Sequence, residues 1–149
     1  LYVVGDSWIR DAQFSPNGDQ IMFVLREETK DTLYVMDADG SNLSDIVTIN
    51  KSEKALSLSG VTYSPTGDLI SFVAEVNDER NLYVVDNNGA NLTQLTSNDD
   101  NEKALYNRRF SPNGKHILFE EDDELRVFDL LKNREISIGK SSYAVWANP

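Results

Sequence analysis

The chain has 149 residues, 40% of them hydrophobic and 26% charged, a mix that supports one folded domain and excludes a disordered polymer. Twenty-five acidic against 14 basic side chains leave a formal net charge of -11, which repels a phosphate backbone and argues against nucleic acid as a partner. There is no cysteine, so disulfides and thiolate metal sites are excluded, and every apolar run is far shorter than the ~20 residues a membrane-crossing helix needs.

In chain order, Leu1-Tyr2-Val3-Val4 is already a strand-like run, and residues 1–11 read as the end of a preceding repeat unit. A first full unit, 12–60, opens at Ala12-Gln13-Phe14-Ser15-Pro16-Asn17-Gly18-Asp19. Pro presets φ for the second position of a tight turn and Gly accepts the left-handed geometry that reverses the chain. The alternating run Ile21–Leu25 then predicts a strand, and Leu33-Tyr34-Val35-Met36-Asp37 a second one across a polar hairpin. The turn Asp37-Ala38-Asp39-Gly40-Ser41-Asn42-Leu43 leads to a further apolar segment through Ile46.

The second unit, 61–107, repeats this order. It has Val61-Thr62-Tyr63-Ser64-Pro65-Thr66-Gly67-Asp68, then Leu69–Val73, Leu82–Asp86, the turn Asp86–Leu92 and a segment through Leu95. Even the connection recurs, Glu53-Lys54-Ala55-Leu56 returning as Glu102-Lys103-Ala104-Leu105. The third unit, 108–149, opens at Arg108-Arg109-Phe110-Ser111-Pro112-Asn113-Gly114-Lys115 and continues through His116–Phe119 and Leu125–Asp129. There Asp129–Glu135 replaces the Asp-x-x-Gly-x-Asn-Leu turn, which weakens the case for a last strand, while Ala144-Val145-Trp146 matches another first strand. The prolines stand 49 and 47 positions apart, and four short antiparallel strands in units of ~40–50 residues are the pattern of propeller blades.

The string aromatic-Ser-Pro-x-Gly, Ile-x-Phe, Leu-Tyr-Val-x-Asp-x-x-Gly-x-Asn-Leu, then Leu95-Thr96, resembles the blade motif of TolB-like and WD-repeat-like propellers and of the propeller domains of prolyl oligopeptidases. The expected fold is therefore all-β, about three four-stranded antiparallel blades with partial strands at both termini, in a single propeller-type domain over 1–149. Three blades do not close a ring, so the expectation is that further blades of a longer parent or a second copy complete it, or that the half-blades at the two ends pair and the open faces find other cover. The resemblance implies a non-catalytic scaffold that binds a protein, in a periplasmic or extracellular setting. Two alternatives stand beside it: the substrate-gating propeller of a larger serine hydrolase, and a carbohydrate- or calcium-binding propeller.

Asp37–Asn42 spaces its oxygens like a calcium loop, but Thr48 stands where an EF-hand needs its bidentate Glu, so a hairpin is expected, with no metal and no cofactor. His116 is the only histidine, which rules out a two-histidine metal site within the chain, and no Gly-x-Ser-x-Gly nucleophile elbow is present. Candidate partner-binding residues are Trp8, a large anchor outside the repeat core; Asp99 and Asp100 in an inter-blade connection; and Glu120, Glu121, Asp122 and Asp123, read together with Glu124 as five carboxylates in one hairpin tip. Trp146, in the register of Phe14, Tyr63 and Phe110, is read as packing, and Arg108–Arg109 as a local ion-pairing site.

Overall fold

The computed structural model describes residues 7–51, 58–76, 79–98 and 105–140. They form three four-stranded antiparallel sheets and no helix. The first sheet contains β1 (Trp8–Phe14), β2 (Gln20–Arg26), β3 (Lys30–Asp37) and β4 (Ser44–Asn50), side by side in that order. The second contains β5 (Leu58–Tyr63), β6 (Leu69–Val76), β7 (Glu79–Asp86) and β8 (Thr93–Gln94), and the third β9 (Leu105–Phe110), β10 (His116–Glu121), β11 (Glu124–Asp129) and β12 (Arg134–Lys140). β1 starts before the expected unit boundary at Ala12, so Trp8–Asp11 lie in the first sheet. The expected half-strands at Leu1–Val4 and Ala144–Trp146 lie outside the described residues.

The Ser-Pro-x-Gly turns are built three times from the same bonds. Gly18, Gly67 and Gly114 have φ of +79°, +80° and +68°, and their N–H groups donate to the carbonyls of Ser15, Ser64 and Ser111 at 2.9, 3.0 and 2.8 Å. Each serine is buried, and its hydroxyl accepts the N–H of the residue that begins the next strand, Gln20, Leu69 or His116, at 3.0, 3.1 and 3.0 Å. A serine is needed there because a buried N–H without an acceptor costs about 1–3 kcal/mol.

The sheets pack face against face. Met22, Val24, Leu33 and Val35 of the first sheet meet Val61, Tyr63, Ile70, Phe72, Ala74 and Val85 of the second. Val73, Leu82, Val84 and Leu95 of the second meet Leu105, Phe110, Ile117, Phe119 and Phe128 of the third. Strand alternation sends adjacent residues such as Phe72 and Val73 into opposite junctions, and each such buried side chain is worth about 1.5–3 kcal/mol. The first strands converge, β1 touching β5 and β5 touching β9, and Gln13 Nε2 donates to the Val61 carbonyl at 2.8 Å. The turns also stack, since a Cβ on Gly67 would stand 3.2 Å from Pro16 Cδ and one on Gly114 3.8 Å from Pro65 Cδ.

The fourth strands differ. The third sheet, where the departure from the repeat at Asp129 weakens the expectation of a last strand, has a seven-residue β12 paired with β11 along its length, with one register shift between Leu125 and Arg126. Asp129 closes that turn in a different way, its Oδ1 accepting the N–H groups of Leu131 and Lys132, both at 3.1 Å. In the second sheet β8 is only two residues long, and the rest of the β7 edge is met by residues 95–98. Leu82 N–H donates to Thr96 Oγ1 at 3.0 Å, Leu95 N–H to the Leu82 carbonyl at 2.8 Å, and Asn98 Nδ2 to the Arg80 carbonyl at 3.1 Å. Buried Asn81 accepts from Thr96 Oγ1 and Asn98 N–H at 3.0 and 2.7 Å.

Ser64→Ala is expected to cost about 1–3 kcal/mol in chemical denaturation by orphaning the Leu69 N–H. The Thr66 and Ser64 hydroxyls also donate to Asp68 and hold its carboxyl below the usual 3.8, so this pair stabilises the fold above that pH and is lost as pH falls through the lower folded value. Carboxyl NMR titration of Ser64→Ala should find Asp68 moved back toward 3.8.

Candidate functional site

Antiparallel connectivity gives the blades two ends. One end carries the Ser-Pro-x-Gly turns and the turns between third and fourth strands; the other carries the hairpins between second and third strands and the starts of the first strands. Trp8 begins β1 opposite Arg26 and is 57% exposed, beside exposed Ile9. Tyr106, at the start of β9, is 59% exposed and stands opposite Glu120 at the same end. The β10–β11 hairpin also turns there, with Asp122 and Asp123 both exposed and at φ of +49° and +63°, the geometry of a two-residue hairpin.

The five-carboxylate tip is not what forms. Glu120 and Glu121 are the last residues of β10 and are buried, 8% and 2% exposed, and Glu124 begins β11. Glu120 Oε2 accepts from Asn107 Nδ2 at 2.7 Å, and Glu121 pairs with Arg126 at 3.0 Å. Arg126 also reaches Glu124 at 3.0 Å and Glu135 at 2.5 Å. Burial opposes its charge, but the three carboxylates outweigh that and hold the guanidinium above the usual arginine value. Two carboxylates therefore remain at the tip. The repeat carried the signal: in register, Glu120 and Glu121 fall on Val24-Leu25 and Val73-Ala74, which are strand positions. Asp99 and Asp100 lie outside the described residues, as does Trp146.

Each first strand carries a bulge, marked by a register break, with a left-handed residue at the same repeat position: Asp11, Gly60 and Asn107, at φ of +55°, +61° and +50°. Gly60 is the residue there without a side chain, and the space is filled by Arg108, whose Nη2 a Cβ would strike. Arg108 Nη1 donates to the Leu105 carbonyl, while its Nε is buried without a partner among the described residues. Burial, and then the charge of Arg80, push its guanidinium below the usual arginine value, and Asp11 partly restores it. Arg108, on the third sheet, thus senses charges of both the first and the second. Arg10 stands 3.8 Å from Asp11.

Other candidates are satisfied internally. In the loop spaced like a calcium site, Asp39 Oδ1 accepts both N–H and hydroxyl of Ser41 at 2.8 and 2.6 Å, which holds its carboxyl below the usual value, and Asp37 Oδ2 accepts Asn42 Nδ2 at 2.6 Å. Asp86 and Asn91 repeat the second bond at 2.7 Å. Buried Asp31 is held by Arg26 at 2.6 Å and Lys51 at 3.1 Å and accepts the Leu58 N–H at 3.3 Å, tying the first blade to the second. His116 Nε2 lies 3.9 Å from Asp129. Among the described residues no cluster of His, Asp or Glu has the arrangement of a metal site, and no helix is long and apolar enough to cross a membrane.

Gly60→Asn should keep the backbone, since Asn107 adopts the same φ, yet lose about 1–3 kcal/mol by overpacking against Arg108. In an Arg108→Ala background that loss should fall below about 1 kcal/mol, which a double-mutant cycle by denaturant unfolding measures.

No protein-family model and no curated protein matches the sequence. Solved structures do. TolB from Acinetobacter baumannii superposes with a TM-score of 0.64 at 20% identity, over 89% of this chain and 32% of that one. The β-propeller domain of the Trilobed protease from Pyrococcus furiosus gives 0.67 at 13% identity, over 92% and 44%. An oligogalacturonate lyase in complex with manganese gives 0.68 at 18% identity, over 93% and 39%. The chain thus spans less than half the length of each of these proteins. Identities this low establish the fold alone: the three sheets are blades of a β-propeller, the architecture that TolB shares with peptidase propeller domains.

Proposed function

We propose that the chain is a non-catalytic propeller scaffold that binds a protein partner in an extracytoplasmic setting. The observation that carries this reading is the exposure of Trp8 and Tyr106 at the blade end that also bears the Asp122-Asp123 turn. Large aromatic side chains bring contact area at low entropic cost and dominate binding energy where a partner desolvates them. Acidic residues at the same blade end, on a chain of net charge -11, favour a basic partner and speed its approach. Likeness to TolB supports the extracytoplasmic setting.

A second reading rests on the peptidase likenesses: an acylaminoacyl peptidase from Pyrococcus horikoshii matches with a TM-score of 0.65, and this chain covers 25% of it. In that reading the blades belong to a hydrolase whose catalytic residues lie on another domain. A Gly-x-Ser-x-Gly segment in the parent gene would select it over the scaffold.

A photo-crosslinking amino acid at Trp8 is expected to capture a protein in cells, with one at Leu131, 74% exposed at the other blade end, as the control. Equal capture at both positions, or none at Trp8, would remove the proposed surface. Asp122→Asn with Asp123→Asn should lower the Trp8 yield and weaken its dependence on salt.

A further inference from the structure

The two blade junctions differ where the repeat should make them alike. In register, Gln20 of the first blade corresponds to Leu69 of the second, and Asn87-Asn88 of the second to Leu130-Leu131 of the third. Between the second and third blades, Leu69 and Leu130, both partly buried, pack onto the apolar core. Between the first and second, the amides take their place and a cleft of about 250 Å³ opens, lined by Gln20, Asn87 and Asn88 with Asn42 of the facing turn. Its apolar floor is Val35 and Ile46, both buried, and Asp37 and Ser44 complete the wall.

The cleft is braced from both sides. Asn87 Nδ2 donates to the Gly67 carbonyl at 3.0 Å and to Gln20 Oε1 at 3.4 Å, which fixes both amides across the junction. Asn42 Nδ2 is held by Asp37 at 2.6 Å, and Asn88 Oδ1 accepts the Ala90 N–H at 2.9 Å. Gly89 presses the second blade's turn onto the first, where a Cβ would stand 3.3 Å from the Ile46 carbonyl. These bonds use one end of each amide. Among the described residues they leave Gln20 Nε2 and Asn88 Nδ2 as donors, and Asn42 Oδ1 and Asn87 Oδ1 as acceptors, without a protein partner.

The wall chemistry selects the ligand. No Lys, Arg or His lines the cleft, so an anionic group would find no countercharge, and its one carboxylate already accepts from Asn42. Hydroxyl groups both donate and accept, which matches fixed amides offering two donors and two acceptors. The volume lies below the ~300–1,000 Å³ of drug-sized sites and suits one ring. We propose that this junction is a binding site for a neutral polyhydroxylated ligand of single-sugar size, such as one residue of an uncharged glycan. The site is separate from the blade end assigned above to a protein partner.

Saturation-transfer NMR on the intact chain, with methyl glucoside, methyl galactoside and N-acetylglucosamine as probes, tests this. At least one is expected to receive saturation, and galacturonate none. Gln20→Leu with Asn87→Leu copies the chain's own second junction into the first and should weaken binding at least about tenfold while the chain stays folded. Should that variant fail to fold, Asn88→Ala, which changes an exposed residue, is expected to weaken the same probe. No transfer to any neutral probe, transfer to galacturonate as strong as to a neutral sugar, or unchanged binding in the folded variant would each overturn the assignment.

Discussion

Everything in this architecture stems from the need of a four-stranded sheet to bury two apolar faces. Alternation along β6 sends Ile70, Phe72 and Ala74 one way and Val73 the other, so the second blade contributes to two cores at once. A lone blade meets that need on neither side; a blade between two neighbours meets it on both. Phe14 makes the point by contrast. It occupies the position of Tyr63 and Phe110, which a preceding blade buries to 7% and 9% exposure, and it is itself 62% exposed. The same residue type in the same local structure is core or surface according to whether another sheet lies before it among the described residues.

The fold was largely legible because its signals are local and tripled. Turn chemistry at Ser15-Pro16, Ser64-Pro65 and Ser111-Pro112, period-two alternation, and the repeat spacing all point to the same four-stranded unit. What escaped was non-local. The position of Glu120 and Glu121 inside β10 depends on Asn107 and Arg126 reaching them from neighbouring strands, and a run of carboxylates read alone looks like a solvated turn. The last strand of the third blade escaped for a related reason. Asp129 replaces the Asp–Asn bond of the other blades with two backbone N–H groups, so the same geometry is reached without the same residues. Of the candidate site, Trp8 and the Asp122-Asp123 turn stand exposed, whereas the exposure of Ile9 and Tyr106 and the role of Arg108 needed the first strands to be placed side by side.

Charge in this chain is divided by place. Interior carboxylates are each held by a cation or an amide: Asp31 by Arg26 and Lys51, Glu121 by Arg126, Glu120 by Asn107. Removing one partner of such a buried pair leaves the other stranded, which is far costlier than losing a surface pair. Turn carboxylates such as Asp37, Asp39 and Asp86 are spent on shaping backbone. The interior pairs make the negative surface available to another molecule smaller than the sequence total suggests, while turn carboxylates, bonded to neutral groups, keep their charge.

The second blade's outer margin has a consequence of its own. A bare row of amides and carbonyls is a template onto which a strand from another molecule can zip, the first step of edge-to-edge aggregation. Along β7 that row is plugged by Thr96, Asn98 and the Leu95 backbone after only two residues of β8. Side chains aimed at single backbone groups cannot be displaced by a sliding register as a partner strand can. A blade finished this way gives up part of a fourth strand and in return protects its margin from recruitment into a larger sheet.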